Sequence, residues 1–134
     1  MDSFKRCTIL FLLALAAVPA FAADLVTVET HVSSSTASPN GANQGEVLIN
    51  NIVNADVRVR LEVQVVYANG VVQRLTGLND PGVLPPGGGY MQSIFFVIPP
   101  DAPPGPATFV ASVTASSAGQ QEKETSSASF DVIP

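Results

Sequence analysis

The segment from Asp56 to Tyr67 constrains the fold most, because its side chains alternate between apolar and polar. It reads DVRVRLEVQVVY, with valine, leucine or tyrosine at every second position from Val57 onward. A period of two is typical of a β-strand with one buried and one solvated face, and the many β-branched residues disfavour a helix. Asn69-Gly70 follows, a pair typical of tight hairpin turns. We therefore predict a hairpin of residues 57–67 with residues 71–75.

The rest of the chain after residue 22 also lacks an apolar stripe at helical spacing. We predict further strands over residues 25–32, 46–52, 90–98, 107–115 and 121–133, and a loop over residues 33–44. About seven short strands separated by Gly, Pro and Asn turns favour an all-β domain, a sandwich of two antiparallel sheets. An open barrel is the alternative architecture.

A proline-rich stretch, VIPPDAPPGPATFVASV, runs from Val97 to Val113. Pro99 and Pro100 end the preceding strand because proline donates no ladder hydrogen bond. We interpret the stretch as a corner at which the chain passes from one sheet to the other. A linker is disfavoured because too few residues follow for a second domain. A proline-rich ligand is the other alternative, but it matches PxxP by spacing alone.

The N-terminal 22 residues have the order of a secretory signal peptide. Lys5 and Arg6 precede the apolar run Ile9–Val18, and Ala20-Phe21-Ala22 forms a small-x-small cleavage site. We predict cleavage after residue 22, or alternatively after residue 20. The product is one domain over residues 23–134, secreted or periplasmic and not inserted in a membrane. Cys7, the one cysteine of the chain, lies in the signal, so no disulfide is available to the mature domain.

Charge argues against nucleic acid as a partner. The chain has 11 acidic and 6 basic residues, and the signal contains Asp2, Lys5 and Arg6, so 10 acids and 4 bases remain, a net charge of −6. Binding to nucleic acid or to an anionic membrane surface requires clustered lysine and arginine. The acids are scattered, which indicates a solubility charge.

The sequence offers no convergent set of catalytic or metal-ligating groups. His31 is the one histidine, which disfavours zinc and leaves a small secreted hydrolase as the third hypothesis. Calcium would need oxygens from loops, such as those of Asn79, Asp80 and Asp101, but their spacing is that of turns. We therefore predict no enzyme activity, no cofactor and no metal.

Two surfaces are candidates for binding. The strand over residues 90–98 is almost wholly apolar, and we expect it to be covered on both faces. The alternative is that one of its two rows lies outside and marks a partner or homodimer face. The two rows are Met91, Ser93, Phe95 and Val97, and Tyr90, Gln92, Ile94, Phe96 and Ile98. For the partner face we name Ile94, Phe96 and Ile98. The second surface is the polar row of Arg58, Arg60, Glu62 and Gln64, with Arg74 alongside on the hairpin partner. Such rows are either solvated sheet faces or glycan-binding surfaces.

Four short motifs mark the ends of predicted strands and the turns between them: Ile49-Asn50-Asn51, Leu84-Pro85-Pro86-Gly87, Val97-Ile98-Pro99 and Pro104-Gly105. In this arrangement, over residues 46–132, the chain resembles bacterial exported Ig-like domains of the CARDB type and the sandwich modules of exported glycosidases. The resemblance implies a seven-stranded Ig-like sandwich used for binding, adhesion or spacing, without catalytic residues.

Together these observations favour an exported, non-enzymatic Ig-like domain. It would act by protein recognition or adhesion, or as a structural component of the cell envelope. A carbohydrate-binding accessory module is the second hypothesis. The expected partner is therefore a protein, which includes a second copy of the chain, or a glycan.

Overall fold

The computed structural model describes residues 24–134, and every regular element in this range is a β-strand. The strands are β1 (Val26–Val32), β2 (Thr36–Ala37), β3 (Ala42–Asn51), β4 (Val57–Val66), β5 (Val72–Leu75), β6 (Gly82–Leu84), β7 (Gly89–Val97), β8 (Gly105–Ser117) and β9 (Gln120–Val132). The predicted all-β class is confirmed. The predicted signal peptide lies outside the described residues. Within residues 24–134, no helix has the length and hydropathy to cross a membrane.

The strands form two sheets that face each other. One has three strands in the order β1-β3-β7, and the other has six, in the order β2-β9-β8-β4-β5 with β6 also paired to β4. All pairings are antiparallel except that of β2 with β9. The two-sheet sandwich is therefore confirmed. The seven strands of four residues or more correspond to the seven predicted ones.

The hairpin prediction is confirmed. Val63 to Val66 pair with Val72 to Leu75. Gly70 has φ of 83°, the left-handed conformation that glycine adopts without strain. The Asn69 side-chain oxygen accepts a hydrogen bond from the Val71 amide at 3.1 Å, which closes the turn.

The proline-rich stretch is a corner, as predicted. It leaves β7 in the three-stranded sheet and enters β8 in the six-stranded sheet. Ile98 and Ala102 are buried inside the corner, and the Ala102 amide donates to the Pro99 carbonyl at 3.1 Å. Gly105 begins β8 with φ of 128°, which a residue with a side chain rarely adopts.

The loop predicted over residues 33–44 is partly wrong. It contains β2, which pairs with Asp131 and Val132 of β9, and the first residues of β3. Ser, Asn and Gly have low strand propensity, so the sequence of this segment does not indicate strands. Pairing of β2 with β9 and of β3 with β7 nevertheless makes these residues extended. Asn43 is buried and its side chain hydrogen-bonds the main chain of Ser34 through both the oxygen and the amide.

The core lies between the two sheets and consists of the inward-facing row of each strand. Phe109 on β8 is completely buried at its centre. Its ring stacks on Phe96 of β7 with centroids 6.0 Å apart, and Phe96 contacts the Phe130 ring at 5.8 Å. Burial raises the pKa of Tyr67 to about 12, and its hydroxyl donates to Gln73. The fold thus buries one aromatic cluster without a disulfide.

Candidate functional site

The partner face predicted on Ile94, Phe96 and Ile98 is wrong. These side chains are only 6%, 4% and 0% exposed, and they belong to the core. The reason is the register of β7 with β3, which sets Ile94 and Phe96 opposite the inward-facing Gly45 and Asn43. Residues directly opposite in a ladder share a face of the sheet.

The other face of β7 is open, so the expectation of a strand covered on both faces is also wrong. Met91, Phe95 and Val97 are 62%, 76% and 59% exposed. We call these three residues the apolar row. Ser93 lies between them and is also exposed. An exposed phenylalanine in a row with exposed methionine and valine side chains is typical of a surface that meets a partner.

The apolar row continues onto β3. Ala42 lies opposite Val97, and the half-buried Leu48 lies opposite Met91. Further across the same face, β3 and β1 present Glu46, Glu29 and His31. The outer face of the three-stranded sheet is therefore apolar along β7 and charged along β1.

His31 lies on this exposed outer face. Its Nε2 atom is 3.8 Å from a carboxylate oxygen of Glu29, and both side chains are about two-thirds exposed, at 63% and 67%. The arrangement is a solvated surface pair, which contributes little to stability.

The strand β7 is an edge of its sheet, since it pairs with β3 and with no other strand of the described chain. Two hydrogen bonds mark the ends of its pairing with β3. The Ile98 amide donates to the Gly41 carbonyl, and the Asn51 amide of β3 donates to the Gly88 carbonyl. Antiparallel ladders bond at every second residue, so the even-numbered residues of β7 bond to β3. The main-chain groups of Met91, Ser93, Phe95 and Val97 therefore point away from β3, toward the open edge.

The partners along that open edge are few. Within residues 24–134, the Gln73 side-chain amide donates to the Val97 carbonyl at 3.1 Å, and Gln73 is itself held by the Tyr67 hydroxyl at 2.6 Å. The outward groups of Met91, Ser93 and Phe95 have no hydrogen-bond partner in the described chain. Unpaired main-chain groups at a sheet edge are a template for another strand.

The opposite edge of the sheet, β1, is protected. The Glu122 carboxylate of β9 accepts hydrogen bonds from the amides of Leu25 and Val26, the latter at 3.1 Å. The Thr30 and Ser126 hydroxyls are hydrogen-bonded at 2.9 Å. The sandwich is thus closed by side chains along β1 and β9, and its three-stranded sheet is open along β7.

Three carboxylates meet beside that closed edge. One oxygen each from Asp24, Glu122 and Glu124 lie within 4.8 Å of one another. Burial, with the neighbouring Glu122 and Asp24 charges, raises the pKa of Glu124. In the described residues this is the one group of acids that could together approach a cation, and Glu122 already serves as the cap of β1.

The weaker calcium hypothesis for Asn79, Asp80 and Asp101 does not fit the fold. Asn79 accepts a hydrogen bond from Tyr90 at the start of β7, whereas Asp101 follows the end of β7. The loops therefore lie at opposite ends of the strand. The Asp80 carboxylate accepts the Gly82 amide at 3.1 Å, which is a turn contact.

The predicted polar row does come together on one surface. Arg58, Arg60 and Glu62 are exposed on the outer face of β4, and Arg74 of β5 lies opposite Gln64 of β4. The ladder through β8 sets Thr114 beside Arg60 and Lys123 beside Thr114, which adds a fourth cation that the sequence analysis missed. We call this surface the cationic face. Among the described residues, none of the four cations forms an ion pair.

Comparisons with known proteins support the Ig-like fold. No family model matches the chain, and no curated protein matches its sequence. Among solved structures, a CARDB domain from Pyrococcus furiosus in complex with di-metal ions is 19% identical, with a TM-score of 0.54 over 81% of this chain and 87% of that one. The C-terminal domain of Wzt is 12% identical, with a TM-score of 0.55 over 87% and 80% of the two chains.

A similar sandwich occurs inside a larger enzyme. The alkylpurine DNA glycosylase AlkC of Pseudomonas fluorescens, bound to DNA containing an abasic site analogue, is 13% identical with a TM-score of 0.55. The chain covers 32% of that protein, and 84% of the chain is matched. At these identities the likeness defines the fold: this is an Ig-like β-sandwich.

Proposed function

We propose that the chain is a non-enzymatic, exported Ig-like domain that acts by protein recognition, as an adhesion module or a structural component of the cell envelope. The observation that carries the proposal is the apolar row of Met91, Phe95 and Val97 on an open edge strand. Exposed aromatic and methionine side chains are enriched where protein surfaces meet. The order of residues 1–22 supports export.

The chemistry of the described residues also supports binding rather than catalysis. His31 is exposed beside Glu29, and the buried polar side chains, Asn43 and Asn51, hydrogen-bond main-chain groups of nearby loops. A catalytic site needs a nucleophile, a base and an oxyanion donor that converge. The hydrolase hypothesis therefore has no supporting observation in residues 24–134.

The experiment is site-specific photo-crosslinking in the source cell. A photoreactive amino acid replaces Phe95, and the matched control places it at Ser127, which is exposed on the outer face of β9 in the other sheet. We expect protein adducts from position 95 and few from position 127. Equal or absent protein adducts at position 95 would contradict recognition through the apolar row.

A carbohydrate-binding accessory module is the second candidate, favoured by the cationic face. Its four cations, which form no ion pair within residues 24–134, lie near Ser112, Thr114 and Ser116 of β8, which offer hydroxyl groups for hydrogen bonds to sugar. Cations select acidic glycans by charge, so binding would weaken as salt screens the attraction. The face has no aromatic side chain for stacking, and this ranks it second.

A panel of acidic and neutral glycans tests this candidate. Binding of acidic glycans should be lost in the Arg58→Ala, Arg60→Ala double variant and kept in the Phe95→Ser variant, whose change lies on the other sheet. Binding that ignores the arginines, or the absence of binding to the whole panel, would reject the cationic face as a glycan site.

A further inference from the structure

The strand β7 lacks the devices that normally protect a sheet edge. Natural edge strands are short, charged, interrupted by proline or covered. The other edges of this sandwich follow that rule. The strands β2, β5 and β6 have two, four and three residues, β1 is capped by Glu122, and the part of β9 that does not pair with β2 is charged at Glu122, Lys123 and Glu124. The nine residues of β7, GYMQSIFFV, include neither a charge nor a proline.

We propose that a second copy of this chain pairs with β7 along the open edge, so that two three-stranded sheets join into one across a two-fold axis. This inference rests on the proposed function, since it names the partner of the apolar row. The two β7 strands run antiparallel, and the axis passes through Ser93, the midpoint of the strand. A contact across a two-fold axis uses the same surface of both copies, so no copy of that surface remains free and assembly ends at a dimer.

The register follows from the direction of the main-chain groups. The outward-pointing residues must form the hydrogen-bonded pairs, and each such pair exchanges two hydrogen bonds. With the axis at Ser93, the hydrogen-bonded pairs use Met91, Ser93 and Phe95, the residues whose outward groups have no partner in the described chain. Ser93 then lies opposite Ser93 of the partner subunit, and Met91 lies opposite Phe95 of the partner subunit. The two serine side chains then lie next to each other at the axis, on the exposed outer face.

The side chains of this arrangement are complementary. Met91 and Phe95 form cross-strand apolar pairs on either side of the axis, and methionine sulfur packs well against an aromatic ring. No charge lies on β7, and the nearest, Glu46 on β3, lies beside Ser93 one strand away from the edge. The two copies of Glu46 are separated by both β7 strands, so they do not repel at contact distance.

The apolar side chains alone do not make a standard interface. Phe95, the most exposed of the apolar row at 76%, offers roughly 150 Å², whereas a standard interface buries about 800 Å² per partner. Main-chain hydrogen bonds must therefore supply the register, as they do when a strand is added to an open sheet edge. We expect a dimer that dissociates on dilution.

Sedimentation of the exported chain over a range of concentrations tests the proposal. The wild-type mass should double as the concentration rises, and Ser93→Pro should stay monomeric. Proline removes an outward amide that β3 does not use, so the fold should survive, as circular dichroism would verify. The matched control Ser93→Thr keeps the amide and should dimerise. A wild-type monomer throughout, or a folded Ser93→Pro dimer, would overturn the proposal.

Disulfide trapping tests the register separately. In a Cys7→Ser background, Ser93→Cys should form a dimeric disulfide under mild oxidation, because hydrogen-bonded pairs place Cα atoms about 5.5 Å apart, within the range of disulfides. Thr27→Cys, exposed on the same outer face but on β1, is the control and should cross-link far more slowly. Equal rates would exclude the axis at Ser93.

The failure of this inference can be distinguished from that of the proposed function. Photo-crosslinks from position 95 that join the chain only to other proteins would reject the second copy and retain recognition. Crosslinks that join the chain to itself would support both. The absence of any protein crosslink at that position would reject both.

Discussion

Asn51 ties together two of the turn motifs that gave the sequence its Ig-like character. Its side chain is 4% exposed at the end of β3. The amide donates to the carbonyls of Ala55, Leu84 and Pro85 at 2.8 to 3.0 Å, and the oxygen accepts the Val53 amide at 2.9 Å. One side chain thus holds the β3–β4 turn against the end of β6.

Replacing Asn51 should destabilise the domain strongly. In Asn51→Ala the carbonyls of Leu84 and Pro85 lose their donor, and each buried polar group left without a partner costs about 1–3 kcal/mol. We expect a total loss of about 3 kcal/mol in the free energy of unfolding, measured by urea denaturation. Asn50→Ala, on the exposed neighbour, is the matched control and should change little. Equal effects of the two substitutions would contradict this role.

Gly45 is required by the packing of the core rather than by its backbone conformation. A Cβ atom at this position would lie 2.1 Å from the Phe109 ring, which is completely buried. Gly45→Ala should therefore cost about 1–3 kcal/mol of unfolding free energy, the usual cost of overpacking. The exposed Ala42→Ser on the same strand should be nearly neutral.

A double-mutant cycle separates this clash from a general loss of strand stability. Phe109→Leu shortens the side chain, so Gly45→Ala should cost less in the Phe109→Leu background than in the wild type. Additive effects in thermal or urea unfolding would show that the two residues do not clash.

At the scale of single elements, the seven longer strands were predictable because their alternation or turn residues are local signals. The face that β7 buries was not. Its two rows, one with Ile94 and Phe96 and the other with Met91 and Phe95, are both apolar. The alternation of side chains therefore does not indicate which face of β7 is buried. The buried face of β7 depends on its pairing with β3. In β3, Val47 and Ile49 point inward and Glu46 points outward, and residues of β7 that lie opposite them share the same face.

The short strands were missed for a related reason. Neither β2, with Thr36 and Ala37, nor β6 is long enough to show a period. They exist because β9 and β4 offer free edges beside them. Their role is to shorten the exposed edge of the six-stranded sheet, an effect of tertiary structure that local sequence does not encode.

At the scale of the whole molecule, the cations are confined to one of the two sheets, whereas acids lie on both. The four cations among the described residues all lie on the outer face of the six-stranded sheet, although residues 24–134 contain ten acids and have a net charge of −6. Arg58 and Arg60 could be placed there from the alternation of one strand, and Arg74 from the hairpin. Lys123 could not, because its position depends on pairing through β8.

The acidic trio at the closed side of the sandwich makes stability depend on pH. Burial and the neighbouring charges of Glu122 and Asp24 raise the pKa of Glu124 in the folded state above its ordinary value of 4.5. The folded state therefore holds this proton more tightly than the unfolded state. The contribution of Glu124 to stability is fully present below about pH 4.5 and is lost as pH rises through its folded pKa.

Replacing the Glu124 carboxylate by a neutral amide should restore the stability that is lost as pH rises. Glu124→Gln is expected to melt at a higher temperature than the wild type at pH 7, with the difference shrinking toward pH 4 and at high salt, since repulsion is both titrated and screened. The gain should be modest because Glu124 is only half-buried. Glu62→Gln, exposed on β4 away from the trio, is the matched control and should show no such pH-dependent gain. A Glu124→Gln advantage that is constant between pH 4 and pH 7 would locate its cause in packing, because a charge effect must vanish when the carboxyl is protonated.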